Sequence, residues 1–245
     1  MSKFAEIDKA RAQRTRPRSL RSSRWAVATL CMLGGALVLT LSGCTLWTVR
    51  SLHPAAGTET AGSIVPGQPG FDPVGYVNSI WASQVVPTVD GSATDLQTLL
   101  TALKADPASA EQKYGHREGQ RPYNFLVKGE AKVLSVDTTL RAGTAKLDLT
   151  PGDGQADATL QVGPVIQGTS LRDALPFIQF QMFTNQIEYA NVSGALNDHV
   201  LKDGIGSLDV ASLAGKTIDF EGAFTLGEDG SLTNVLITPV KIQVK

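Results

Sequence analysis

Cysteine is nearly absent from this chain, with only Cys31 and Cys44 among 245 residues. Two cysteines allow at most one bridge, which excludes a disulfide-stapled fold. Histidine is scarce as well. His53, His116 and His199 stand far apart, with no His-x-x-x-His or His-Glu spacing, so the sequence has neither a zinc-ligand motif nor a metalloprotease base. No Gly-x-Ser-x-Gly elbow offers a serine nucleophile. The "AGKT" run at 214–217 lacks the spacing of a phosphate loop, because Val210 occupies the position of the first required glycine. "GDGQAD" at 152–157 has too few ligands for a calcium loop, and its Asp153-Gly154 pair reads as a hairpin turn. These absences leave no catalytic constellation, no metal site and no cofactor motif; the alternatives are an enzyme using dispersed carboxylates or a purely structural interaction module.

The charge is uneven. Residues 1–24 hold eight of the 22 basic residues and two of the 23 acidic ones, so the chain from position 44 onward carries 14 basic against 21 acidic residues, a net charge of −7. An acidic domain with few stacking aromatics argues against nucleic acid as a partner. The basic head is followed by the charge-free stretch "WAVATLCMLGGALVLTL" from Trp25 to Leu41 and then by small residues. That is the layout of a secretory signal, and adjacent arginines of the twin-arginine type are missing. Leu41-Ser42-Gly43-Cys44 resembles the lipobox of bacterial lipoproteins. The resemblance implies a signal peptide over 1–43, cleavage before Cys44, and attachment of acyl chains there that anchor the protein to a membrane. The alternative is an uncleaved transmembrane helix, since seventeen apolar residues reach the short end of a span. Cys31 would leave with the signal.

Residues 44–70 are rich in Gly and Pro towards their end, which reads as a membrane-proximal tether. From Phe71 to about residue 120 the pattern is helical. Asp72-Pro73 is a cap followed by a first-turn proline, and Pro87 is expected to end that helix. A second helix begins near Thr94 or Asp95 with Leu96, Leu99, Leu100 and Leu103 on one face, and a third runs from Pro107 to Tyr114. Beyond Arg121 the period shifts to two. Three antiparallel strands are expected through "YNFLVKGEAKVLSVD", "AGTAKLDL" and "ADATLQVGPVI". A helical segment near 170–203 follows, with Ser170 as its cap and Gly204 as its stop. A terminal hairpin across Gly-Glu-Asp-Gly-Ser completes the chain. This α+β order, a small helical subdomain over 71–120 and then five or so strands over 121–245 with a helical insertion, matches an OB-like antiparallel β-barrel. Other α+β meanders fit the same order.

The stretch "GPVIQGTSLRDALPFIQFQMFTNQIEYA" at 163–190 concentrates amides, charges and an aromatic between apolar residues. It makes Arg172, Asp173, Asn185, Gln186 and Tyr189 candidates for binding a small polar ligand such as a sugar. The competing reading is structural: Asn and Gln at helix ends ordinarily bond to backbone, and Arg172 has Asp173 or Glu188 as a partner.

With the lipobox, "FDPVGYVNSIW", "YNFLVKGEAKVLSVDTTLRAGTAKLDL", "GTSLRDALPFI…FTNQIEYA" and "AGKTIDFEGAF" resemble the predicted periplasmic lipoproteins grouped as domain of unknown function 2291. The resemblance implies a lipid-anchored envelope protein facing the periplasm or cell exterior, with a helical subdomain beside an OB-like barrel. Family members often occur beside components of sugar ABC importers, which implies an accessory, non-enzymatic role with an importer component as a possible partner. The family carries no known catalytic residues onto this chain.

Overall fold

A computed structural model describes residues 62–228 and 230–245. Cys44, the signal stretch and the first part of the tether lie outside the described residues.

Three of the first four helices start on an aspartate whose carboxylate accepts a backbone N–H of the first turn. Asp72 caps α1 (Pro73–Ile80), Asp95 caps α3 (Leu96–Ala105) and Asp106 caps α4 (Pro107–Tyr114). Pro87 does not end the first helical run. The chain passes through a π-helical turn, Trp81–Val85, directly into α2 (Val86–Ser92), and Pro87 sits in the first turn of α2. The widened turn accommodates a residue that has no N–H to contribute.

Seven strands follow the topology of one sheet. The two-residue β1 (Thr94–Asp95) and β2 (Gly115–His116) flank the long β3 (Asn124–Asp137), which is followed by β4 (Thr144–Leu149), β5 (Ala158–Gln161), β6 (Thr217–Thr225) and β7 (Leu236–Val244). Asn124–Lys132 of β3 pairs with β6, and Ala131–Asp137 pairs with β4, so the hydrogen-bonded order β3-β4-β5-β7-β6 returns to β3. The sheet is not wholly antiparallel. β5 runs parallel to β7, because the helical insertion between β5 and β6 carries the chain across the structure before the last hairpin forms. One tight approach is built for glycine: a Cβ on Gly163, just past β5, would stand 2.0 Å from the Gly143 nitrogen at the entry to β4.

Inside the insertion, α5 (Ser170–Ala174) is short. It ends before Leu175-Pro176, since the residue preceding a proline is driven out of the helical region. Ser170 does not cap it. Its hydroxyl instead meets Thr225 Oγ1 at 2.8 Å, and that hydroxyl in turn donates to Asn124 Oδ1 at 2.6 Å, which pins α5 to β3 and β6. The longer α6 (Gln186–His199) passes into a second π-helical turn, Val200–Ile205, that takes in Gly204. Apolar faces of the helices (Val77, Leu96, Leu99, Leu196) and of the strands (Phe125, Leu147, Leu160, Phe220) join one continuous core. Among the described residues no helix is long and apolar enough to cross a membrane.

Candidate functional site

Where α5, α6 and the loop after β2 meet, a polar cluster is sealed into the structure. Arg172 on α5 is only 6% exposed. Its guanidinium makes a two-pronged contact with Asp173 Oδ1 through Nε (2.8 Å) and Nη2 (2.7 Å), and Nη1 donates to the carbonyl of Tyr189 at 3.1 Å. The same plane lies 3.6 Å from the centre of the Tyr189 ring. A flat, weakly hydrated cation tolerates this setting, with hydrogen bonds at its edge and a π face beneath it, where an ammonium would not.

Tyr189 donates from its hydroxyl to Asp173 Oδ1 at 3.0 Å, with Glu118 Oε2 at 3.5 Å. Burial first, and then the Asp173 carboxylate, push its phenol up to about 12. The other Asp173 oxygen accepts from Thr169 Oγ1 at 2.6 Å, and the Asp173 carbonyl accepts from His116 Nδ1 at 2.8 Å. Glu118 is held by the backbone N–H of Phe180 at 3.0 Å.

Of the five candidates from the sequence, three therefore come together: Arg172, Asp173 and Tyr189. Asn185 does not join them. Its Oδ1 caps α6, accepting from the N–H groups of Ile187 and Glu188 at 2.9 Å each, while Glu188 reaches back to the Thr184 N–H at 3.0 Å. Gln186 is exposed on the first turn of α6. Sequence reasoning missed His116, Glu118 and Thr169. The first two sit in "GHREGQR", a short charged run without periodicity, and only its density of ionisable groups beside a strand start could have singled it out.

The cluster borders open space. Arg121 lies with Nη1 3.8 Å from Glu118 Oε2 and its guanidinium 5.6 Å from the Tyr189 ring, and it also walls a cavity of about 370 Å³. Arg117, Gln120, Tyr123, Glu111 and Glu228 line the same cavity, with the Arg117 guanidinium 4.4 Å above the Tyr123 ring. That volume is within the range of small-molecule sites. Among the described residues no group of three or more His, Cys, Asp or Glu side chains is placed to hold a metal ion.

A second cavity, of about 290 Å³, opens on the outer face of β3, β6 and β7 between Lys128, Glu221 and Lys241. Glu221 Oε2 is buried there with no hydrogen-bond donor facing it, and Lys241 Nζ stays 3.8 Å from Oε1. Burial, and then the neighbouring Asp90 carboxyl, push the Glu221 carboxyl above its ordinary value. A carboxyl raised on folding favours the folded state in acid, and that contribution is lost as pH rises through the raised value. Glu221→Gln is therefore expected to stabilise the protein at pH 7 by roughly 0.5 kcal/mol, the scale of partly exposed charge effects. The gain should shrink towards pH 4. Urea unfolding of both proteins at the two pH values measures it, and a gain that grows in acid would contradict the assignment.

The model of the family described as predicted periplasmic lipoprotein (DUF2291) matches residues 35–243, and the chain belongs to that family. Among solved structures, an OB-fold protein from Thermotoga maritima superposes with a TM-score of 0.61 at 19% identity, covering 72% of this chain and 99% of that one. At that identity the likeness speaks to the fold. No curated protein matches the chain.

Proposed function

We propose that this predicted periplasmic lipoprotein is a non-enzymatic binding protein of the cell envelope, held to the membrane through acyl chains on Cys44, that takes a small polar molecule of sugar size and serves an ABC importer as an accessory. The observation that carries the binding reading is the cavity beside the buried cluster. Its walls offer guanidinium donors from Arg117 and Arg121, the amide of Gln120 and the carboxylates of Glu111 and Glu228. Mixed donors and acceptors around an aromatic suit a polyhydroxylated ligand. The buried cluster sets the wall, since Glu118 stands between Arg121 and Tyr189. The strand order that returns to β3 fits the finer description of the fold, a small OB-like barrel with a helical insertion.

Turnover by dispersed carboxylates is the less favoured reading. Asp173 and Glu118 already accept from Arg172, Thr169, Tyr189 and the Phe180 N–H, and a phenol pushed up to about 12 stays protonated at neutral pH. Both carboxylates are already engaged by donors, which favours a positioning role over that of a general base.

Thermal unfolding in the presence of pentoses, hexoses and their acidic derivatives tests the proposal. A ligand at about a hundred times its Kd adds about 2.7 kcal/mol, a rise in Tm of roughly 5–10 °C for a domain of this size. The rise should vanish in Arg121→Ala and Gln120→Ala. Lack of stabilisation by every compound, with no importer subunit recovered by crosslinking in cells, would refute it.

A further inference from the structure

Seven large hydrophobic side chains are conspicuously exposed among the described residues, and five of them belong to one end of the molecule: Ile64 (49%), Val65 (56%), Val74 (54%), Met182 (37%) and Ile187 (72%). The helices α1 and α6 run in the same direction. Asn78 meets His199 Nε2 at 2.8 Å, and Phe183, just before α6, meets both Phe71, just before α1, and Tyr76 in its first turn at 5.7 and 6.3 Å, so both helix starts lie at one end. Residues 62–72 fold back onto that end, with the Ser63 N–H donating to the Gly70 carbonyl (3.1 Å) and the Asp72 N–H to the Ser63 carbonyl (2.8 Å). Ile64 packs beside Gly75, where an added Cβ would stand 3.0 Å from its Cγ2. Gly67 lies against the Met182 backbone, where an added Cβ would stand 2.9 Å from the carbonyl oxygen. Beneath them Phe71 and Phe183 meet edge to face at 5.7 Å, so the exposed residues ride on a rigid aromatic base.

This is also the end at which the chain arrives from its anchor. Seventeen residues lie between Cys44 and Gly62, so the anchor is at most about 60–65 Å from the patch end. A domain so confined meets the bilayer at millimolar effective concentration, which makes even a weak surface contact persistent. The segments that carry the patch, 62–75 and 176–190, contain no Lys or Arg, their acids Asp72 and Glu188 are occupied at helix starts, and Lys202 and Asp198 beside Val74 add one charge of each sign. Their chemistry suits the neutral acyl boundary of a bilayer rather than anionic headgroups.

We propose that this apolar end is a membrane-docking face, which rests on the bilayer that holds the anchor and inserts Ile187, Met182, Val74, Ile64 and Val65 into its interface. The proposal rests on the lipid anchor at Cys44. Two variants of the full, processed protein test it, Ile187→Cys and Leu140→Cys. Both positions are 72% exposed, and residue 140 lies in the loop between β3 and β4. Each is labelled with a nitrobenzoxadiazole fluorophore and placed in phosphatidylcholine vesicles containing spin-labelled lipid. Docking gives at least twofold stronger quenching at 187 than at 140, unchanged between 50 mM and 500 mM salt, and halved by Ile64→Ser with Val65→Ser. Equal quenching at the two positions in protein that floats with the vesicles overturns docking and leaves the anchor standing. Protein that does not float overturns the anchor, and docking with it. A label at 187 that is blue-shifted but unquenched is covered by protein, either a second copy or the chain's own residues 45–61, and this too overturns the proposal.

Discussion

Arg172→Ala is expected to destabilise the folded chain by about 3–5 kcal/mol, the cost of removing one member of a buried ion pair. The magnitude follows from what remains. Asp173 Oδ1 would keep only the Tyr189 hydroxyl as a donor in place of a two-pronged guanidinium, and the Tyr189 carbonyl and ring face would lose their partner. Arg172→Lys keeps the charge but not the planar fork or the stacking, so it should recover only part of the loss. Replacing both partners, Arg172→Met with Asp173→Leu, should be milder than Arg172→Ala alone, because no charge is then left unpaired. Thermal unfolding ranks the four proteins, and a double variant less stable than the single one would show that the pair contributes more than mutual neutralisation. The same cluster predicts that the Tyr189 phenol ionises only near pH 12, an absorbance change that is lost from the alkaline titration of Tyr189→Phe.

Cys44→Ala is expected to abolish acylation and cleavage outright. The thiol is the acyl acceptor in the lipobox reading, and alanine offers no atom to which a diacylglyceryl group could be transferred. A single apolar stretch with no acyl chains then remains, so the precursor should accumulate uncleaved and fatty-acid incorporation should fall to background. Labelling that survives the substitution would refute the lipoprotein assignment of Cys44. Loss of labelling with normal unfolding of the domain would separate anchoring from folding, as expected if the two depend on different residues.

Much of the local architecture was legible because its signals act over one or two turns. Asp72, Asp95 and Asp106 each precede a helix start and are found accepting first-turn N–H groups, and the leucines at 96, 99, 100 and 103 point into the core. The alternation in "NFLVKGEAKVLSVD" marks β3. Pro87 misled because proline excludes a normal interior helix position but is tolerated where a π-helical turn supplies a fresh start. Ser170 misled in the same way, since a good capping residue also makes a good tertiary hydroxyl donor, and Thr225 was out of view at a separation of 55 residues.

The candidate site divides along the same line. Arg172 beside Asp173 is a neighbour relation that the chain order makes plain, and the Asn185-to-Glu188 spacing is that of a capping box. By itself the sequence determined the basic and apolar head, the family, the acidic character of the chain after it and the order of the longer helices and strands, all through composition, local hydrogen-bonding preference and short-range periodicity. Only the tertiary structure decided that Glu118 and His116 close around Tyr189 and Asp173, that β5 pairs parallel with β7, and that five exposed hydrophobics from two separate segments share one end. Such contacts join residues as far apart as Leu160 and Ile237 on chain segments brought together by strand pairing and apolar burial, whose driving force has no direction and therefore leaves no local mark of its partner.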